Sequence, residues 1–176
     1  EQIIPSGHNP DNYIVERHNC DSHDGRKIPI TIIRHIKTKI DGNAKLLLYG
    51  YGSYGNSMSP SFSTTKFSLI DRDIIWVIAH IRGGLERGMK WWKEGKLLNK
   101  KNTFKDYITV AKFLIEKKYS SKQNIIGMGG SAGGLLMGAV VNQAPELFLG
   151  VIMAVPFVDS LTTNLDHSLP LTVGEF

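Results

Sequence analysis

Four short runs most constrain what this chain can fold into: LLLYG (46–50), IIWVIAHI (74–81), NIIGMG (124–129) and LGVIMAV (149–155). A strand with one wet face alternates apolar and polar residues. Runs that stay apolar at every position suit strands covered on both faces, as in a parallel sheet flanked by helices. Ahead of them, 13–20 (YIVERHNC) and 26–36 (RKIPITIIRHI) read as two further strands. Asp24-Gly25 between them is a hairpin signal. Ile28, Ile30 and Ile32 alternate, which predicts a half-buried second strand.

The segments between the apolar runs read as helices. FKDYITVAKFLIEKKY sets Phe104, Tyr107, Ile108, Ala111, Leu114 and Ile115 on one stripe. Thr103 and Asp106 stand in the spacing of a capping box at its start. Residues 132–143 read as a second helix ended by Pro145, and 61–70 as a weaker third. A hairpin followed by β-α-β-α-β-α-β is an α/β fold with right-handed crossovers.

Composition excludes several classes. With 176 residues, 41% hydrophobic and 21% charged, the chain suits one globular domain that buries roughly two-thirds of its unfolded surface. No apolar run approaches the roughly 18 residues of a transmembrane helix, and EQIIPSGHNPDNY lacks a signal-peptide layout. One cysteine, Cys20, excludes an internal disulfide and fits a reducing compartment. The expectation is a soluble, cytoplasmic protein with no membrane partner and Cys20 buried in a strand. The net charge of +5 concentrates in RHIKTK (34–39) and KWWKEGKLLNKKNTFK (90–105). Trp91 and Trp92 could stack on bases there. Glu94 and Asp106 interrupt the run, however, and no nucleic-acid motif accompanies it. The expectation is a solvated face, with the tryptophans packed and no nucleic-acid partner.

Gly129-Gly130-Ser131-Ala132-Gly133 satisfies G-x-S-x-G, between a buried strand and a helix. That is the setting of a nucleophile elbow, where glycines let helix and strand crowd a turn that projects a serine hydroxyl. The helix N-terminus there offers free N–H groups and positive potential to an oxyanion. YGYGSYG (49–55) lies where such hydrolases place the other half of an oxyanion hole. Its Tyr51 reads either as a hydroxyl donor or as a packed aromatic. A serine also needs a base and an orienting acid, which on this fold follow it in the chain. After Ser131 come Asp159, Asp166, His167 and Glu175 before the sequence stops at Phe176. His167 adjoins Asp166, with no later strands to separate base from acid, and it is not expected to be the base. Arg82-Gly83-Gly84 reads as a turn whose arginine bonds backbone carbonyls.

LLLYGYGSYG, AHIRGG, GKLLNKKNTFKDY, MGGSAGGLLMGAVVNQAPELF and VPFVDSLTTNLDHSLPLTVGEF together resemble the prolyl oligopeptidase family of serine peptidases, in its oligopeptidase B branch. The resemblance runs from about residue 13 to the last residue. It implies part of an α/β-hydrolase catalytic domain over 13–176, lacking its C-terminal strands, with 1–12 similar to the segment that leaves a β-propeller. It implies cleavage of short basic peptides after Arg or Lys without cofactor or metal. By the same resemblance Ser131 is the nucleophile, and the Ala132 N–H and Tyr51 hydroxyl are the oxyanion donors. Glu175 is an acid that holds the basic side chain.

The departures count as well. The family's catalytic Asp and His, and its second specificity acid, match nothing up to Phe176. A complementary chain carrying the Asp and His is therefore an expected partner. Ser59 and Ser61 stand where the branch often carries acids of a second subsite. His167 stands at a usually acidic position, Asp73 at a usual glycine, and Leu85 at a usual third glycine. Two alternatives stay open: a catalytically inactive remnant that binds peptides or a partner fragment, and a general esterase on the same fold.

Overall fold

The computed structural model describes residues 7–169 and 172–176; the first half of the expected 1–12 linker and residues 170–171 of the SLPLTVGEF segment lie outside them. The hairpin is β1 (Tyr13–Asp21) and β2 (Lys27–His35), in antiparallel register from Tyr13↔His35 to Asp21↔Lys27. Gly25, at φ 78, makes the turn between them. β3 (Leu46–Tyr49), β4 (Ile75–Ala79), β5 (Ile125–Gly130) and β6 (Phe148–Ala154) are the four apolar runs, and they pair in parallel. The sheet order is β1-β2-β4-β3-β5-β6, with β2 antiparallel to β4. This is the mixed sheet of an α/β-hydrolase domain, present in part.

Five helices join the strands: α1 (Thr64–Ile70), α2 (Met89–Lys93), α3 (Lys101–Glu116), α4 (Ala132–Gln143) and α5 (Ser160–Leu165). Successive strand residues point to opposite faces, so each face collects its own core. One face carries Ile30, Leu48, Val77 and Ile125 under Tyr107, Ala111 and Leu114 of α3 and Leu136, Met137 and Val140 of α4. The other carries Ile33, Leu47, Trp76 and Ile78 under Ile70 of α1. β6 forms one edge of the sheet, with Leu149 and Ile152 exposed. Among the described residues no helix is long and apolar enough to cross a membrane. Cys20 is buried in β1, and burial pushes its thiol pKa up to about 12.

Three sequence expectations need correction, at β2, at the start of α3 and at Arg82. β2 is buried on both faces, because Thr31 and Ile33 pack beneath their own neighbours while Ile28, Ile30 and Ile32 face α3. Residues 8–12, largely exposed, are anchored at His8. The His8 ring stacks on Tyr13 at 5.0 Å and meets Phe67 edge-on, while Asn9 caps a 3-10 turn over Pro10–Asn12. α3 begins at Lys101, one turn or less before the expected cap, so Thr103 and Asp106 lie inside the helix and are buried. Arg82 bonds carboxylates rather than carbonyls. Its Nε and Nη2 donate to Asp106 at 2.8 and 2.7 Å, Nη1 donates to Asp24 at 2.5 Å, and Nη2 reaches Ser22 Oγ at 3.1 Å. Thr103 Oγ1 in turn donates to Arg82 O at 2.9 Å.

The departures from the family pattern are also explained locally. Asp73 sits at φ 61, a left-handed conformation that a glycine adopts freely and an aspartate tolerates, and its carboxylate accepts from Thr38 Oγ1 at 3.2 Å. Leu85 lies at the surface over Gly55. His167 is exposed beyond α5.

Two predictions follow from this packing. Removing one partner of a buried bidentate pair leaves the other charge uncompensated, so Arg82→Met is expected to cost about 3–5 kcal/mol in urea unfolding. A loss below about 1 kcal/mol would show that Asp106 finds other support. The second concerns alkaline pH. Tyr13 donates to Asp71 at 2.6 Å and Tyr119 to Glu16 at 2.5 Å. The Asp71 carboxylate raises the Tyr13 pKa from 10.0 to about 12, and burial with Glu16 raises that of Tyr119 equally. A raised folded pKa means the contribution is whole below pH 10 and is lost as pH climbs through 12. Tyr119→Phe is expected to flatten the fall of the urea midpoint over that window, and an unchanged slope would refute the assignment.

Candidate active site

Ser131 ends β5 and caps α4 with φ 54 and ψ −117, outside the regions an ordinary residue occupies. The conformation is held by crowding. A Cβ on Gly129 would lie 2.2 Å from Gly133 O, one on Gly133 2.9 Å from Gly50 O, and one on Gly134 2.5 Å from Pro156 Cα. Side chains are excluded at all three positions, so α4 presses onto β5 and β6 and leaves Ser131 exposed at the corner. Hydrogen bonds fix the corner from the β6 side: Ser131 N donates to Ala154 O and Phe157 N to Ser131 O, each at 2.9 Å. Between them Val155 stands at φ 41 and is 85% exposed. A β-branched residue there is strained, and such strain clusters at functional sites.

The loop after β3 meets this corner. Gly50 N donates to Met128 O at 3.0 Å, and the Tyr51 ring lies against Gly133, 3.4 Å from where that residue's Cβ would stand. Ser131, Ala132 and Tyr51 are thus brought together. The Ala132 N–H opens α4, where the first N–H groups have no helical acceptor.

No histidine completes the group. Among the described residues neither Ser131 Oγ nor the Tyr51 hydroxyl has a hydrogen-bond partner, and no His reaches either. His167 and Asp166 are exposed; Asp166 accepts from Ser168, which holds its carboxyl below the usual range. Asp159 caps α5. Ser59 and Ser61 are exposed residues lining a cavity of about 380 Å³ with Tyr49, Met58 and Trp76.

Glu175 is buried and engaged. Trp92 Nε1 donates to its Oε2 at 2.9 Å, and Lys100 Nζ lies 3.3 Å from its Oε1. Lys100 also donates to Gly52 O at 2.7 Å and Ser53 Oγ at 2.5 Å, and sits 4.9 Å from the Phe176 ring centroid. Burial pushes the Lys100 pKa down to about 8 against the opposing pull of Glu175. Phe176 packs on Phe157 at 5.2 Å, so the 172–176 segment lies beside the serine corner.

Sequence reasoning missed Lys100, Trp92 and Val155. Lys100 did carry a signal, since 100, 103, 107, 110 or 111 and 114 share one helical face and all but the first are plainly buried types. Trp91 is in the core, its Nε1 donating to His80 O at 3.1 Å.

A search among known families matches residues 60–176 to the prolyl oligopeptidase family. Dipeptidyl aminopeptidase BI of Pseudoxanthomonas mexicana is 48% identical over 100% of this chain and 24% of its own length. Protease 2 of Moraxella lacunata is 48% identical over 86% of this chain and 22% of its own. The solved structure of oligopeptidase B from Leishmania major superimposes with a TM-score of 0.91 at 46% identity, covering 96% of this chain and 24% of that one. Oligopeptidase B from Trypanosoma brucei with covalently bound antipain gives 0.90 at 41% identity, over the same shares. The chain spans about a quarter of the length of these relatives. The chain belongs to the prolyl oligopeptidase family of serine peptidases.

Proposed function

We propose that this chain supplies the nucleophile and oxyanion hole of a serine peptidase that cleaves short peptides after basic residues. The observation that carries the reading is Ser131 at φ 54 and ψ −117, exposed at the mouth of α4 with Tyr51 against Gly133. Ser131 Oγ attacks the scissile carbonyl. The negative oxygen that forms is held by the Ala132 N–H, with the positive end of α4 behind it, and by the Tyr51 hydroxyl. The proton passes to a histidine, oriented by an aspartate, that returns it to the leaving amine. Among the described residues no histidine or aspartate bonds Ser131 Oγ, and the reading draws both groups from outside them. Glu175 supports the preference for arginine or lysine at the cleaved bond, in concert with the second acid that the family resemblance implies. A reducing, cytoplasmic setting fits the single buried thiol of Cys20.

The missing contact to Ser131 Oγ favours a second reading for the chain by itself, that of a folded piece without turnover. Removing a triad histidine costs roughly 10⁶-fold in kcat in a comparable protease. The purified chain is therefore expected to hydrolyse neither an arginyl amide nor a butyrate ester at a measurable rate. Adding in trans the part of Moraxella lacunata protease 2 that follows the aligned stretch is expected to restore arginyl-amide hydrolysis and fluorophosphonate labelling at Ser131. Ser131→Ala should abolish both. Restored turnover that survives Ser131→Ala would overturn the nucleophile, and restored ester hydrolysis without amide hydrolysis would favour the esterase.

In that complemented form Tyr51→Phe is expected to lower kcat about 10²- to 10³-fold with little change in KM, as loss of one oxyanion donor does elsewhere. An unchanged kcat would make Tyr51 a packing residue.

A further inference from the structure

Lys100 is a buried cation beside the serine corner that the proposed chemistry leaves without a role. It is 8% exposed, and a lysine that deep needs partners for its charge and all its protons. It has three donors and three acceptors: Gly52 O, Ser53 Oγ and Glu175 Oε1. Two of the three belong to the residues that directly follow Tyr51. The third belongs to the segment whose Phe176 packs on Phe157, and Phe157 N holds Ser131 O. These contacts run in a ring from Ser131 through Phe157, Phe176, Lys100 and Ser53 to Tyr51, and back to Ser131 through Gly133.

We propose that Lys100 is a positioning residue. Its ammonium fastens the Tyr51–Ser53 loop to the Glu175–Phe176 segment and so fixes where the Tyr51 hydroxyl points. This rests on the reading of Tyr51 as an oxyanion donor. The loop has little else to hold that hydroxyl in place, because the Tyr51 side chain makes no hydrogen bond among the described residues. What locates it is backbone, and the backbone on its C-terminal side is pinned at Gly52. There a Cβ would strike Thr103 at 2.4 Å and Ile81 at 2.9 Å. Gly83 approaches Gly52 O so closely that no side chain fits between them. A carbonyl enclosed in this way is cut off from water and takes its hydrogen bond from Lys100. Methionine would fill the volume of Lys100 while leaving Gly52 O, Ser53 Oγ and Glu175 Oε1 without their donor. The unpartnered groups would turn toward water and carry Tyr51 with them.

The test uses the full chain, labelled on its tyrosine rings, and compares wild type with Lys100→Met and Ser53→Ala. Amide exchange is followed at 51–53 and, as an internal reference, in β4. Lys100→Met is expected to speed exchange at 51–53 at least about tenfold while β4 keeps its protection, and to shift or broaden the Tyr51 ring resonance. Ser53→Ala keeps the pair with Glu175 and removes one loop contact, so it should move the same signals in the same direction by less. Unchanged loop exchange and Tyr51 resonance in both variants would overturn the proposal. So would exchange that rises equally in the loop and in β4, which marks general destabilisation. If Lys100→Met does not fold, Ser53→Ala decides on the same criteria. Exchange does not depend on Ser131 reactivity, so failure of the peptidase reading and failure of this clamp are read separately.

Discussion

The buried guanidinium of Arg82 is the constraint on which the site depends. It spends its donors on Asp106 of α3 and on Asp24 and Ser22 of the hairpin turn, joining three stretches distant in sequence. A buried ion pair is weak as a source of net stability, since desolvation offsets most of the attraction. What it supplies here is geometry, because a bidentate fork fits one orientation of its partner. With Arg82 fixed, Gly83 is held against Gly52 O, and Gly95 is pressed so close to Gly83 N that a Cβ there would lie 2.2 Å away. The turn after β4 thereby becomes the floor under the loop that carries Tyr51. Thr103, donating to both Arg82 O and Gly95 O, closes the floor from α3.

Above that floor the serine corner is made by exclusion. Glycines at 129, 133 and 134 let α4, β5, β6 and the post-β3 loop approach more closely than any side chain permits. The strain this places on Ser131 is matched across the corner at Val155, held between two hydrogen bonds to Ser131. Strained residues persist only where their surroundings over-determine them. Here the surroundings are the parallel pairs of β5 with β3 and β6 and the apolar cluster under α4. Sheet and core are thus the source of the serine's exposure.

The centre of the sheet was legible in the sequence because β3 and β4 are buried on both faces and say so residue by residue, whereas β6 carries a similar apolar run at an exposed edge. α4 was legible to the residue, Ala132–Gln143, since glycine and proline bracket it. Reading failed where a local rule met a tertiary claim. Thr103 and Asp106 have the spacing of a cap, yet their side chains are taken by Gly95 O, Arg82 O and Arg82, so the helix starts earlier than the pattern predicts. Ile28, Ile30 and Ile32 alternate, but the intervening positions are also covered, as the His80–Thr31 hydrogen bond at 2.8 Å reflects. The strained turn at Ser131 was legible from G-x-S-x-G. Lys100 was hidden inside a run of lysines, the composition of a solvated face. Only its place on the stripe of 103, 107 and 114 marks it as buried.

That hidden lysine changes what Glu175 can do. A carboxylate facing an open pocket would attract a cationic side chain with its full charge, but this one has a lysine 3.3 Å away on one oxygen and an indole on the other. Screened in this way, Glu175 in the proposed substrate role would act on an arginine as a hydrogen-bond acceptor more than as a net charge. Under the proposed reading, selectivity for basic residues then needs a further acid, whose charge Lys100 does not cancel. Glu175 and Lys100 together form a neutral pair that ties the 172–176 segment to the loop after Tyr51. In this arrangement the segment that carries Glu175 and the loop that carries Tyr51 are held by one ammonium group.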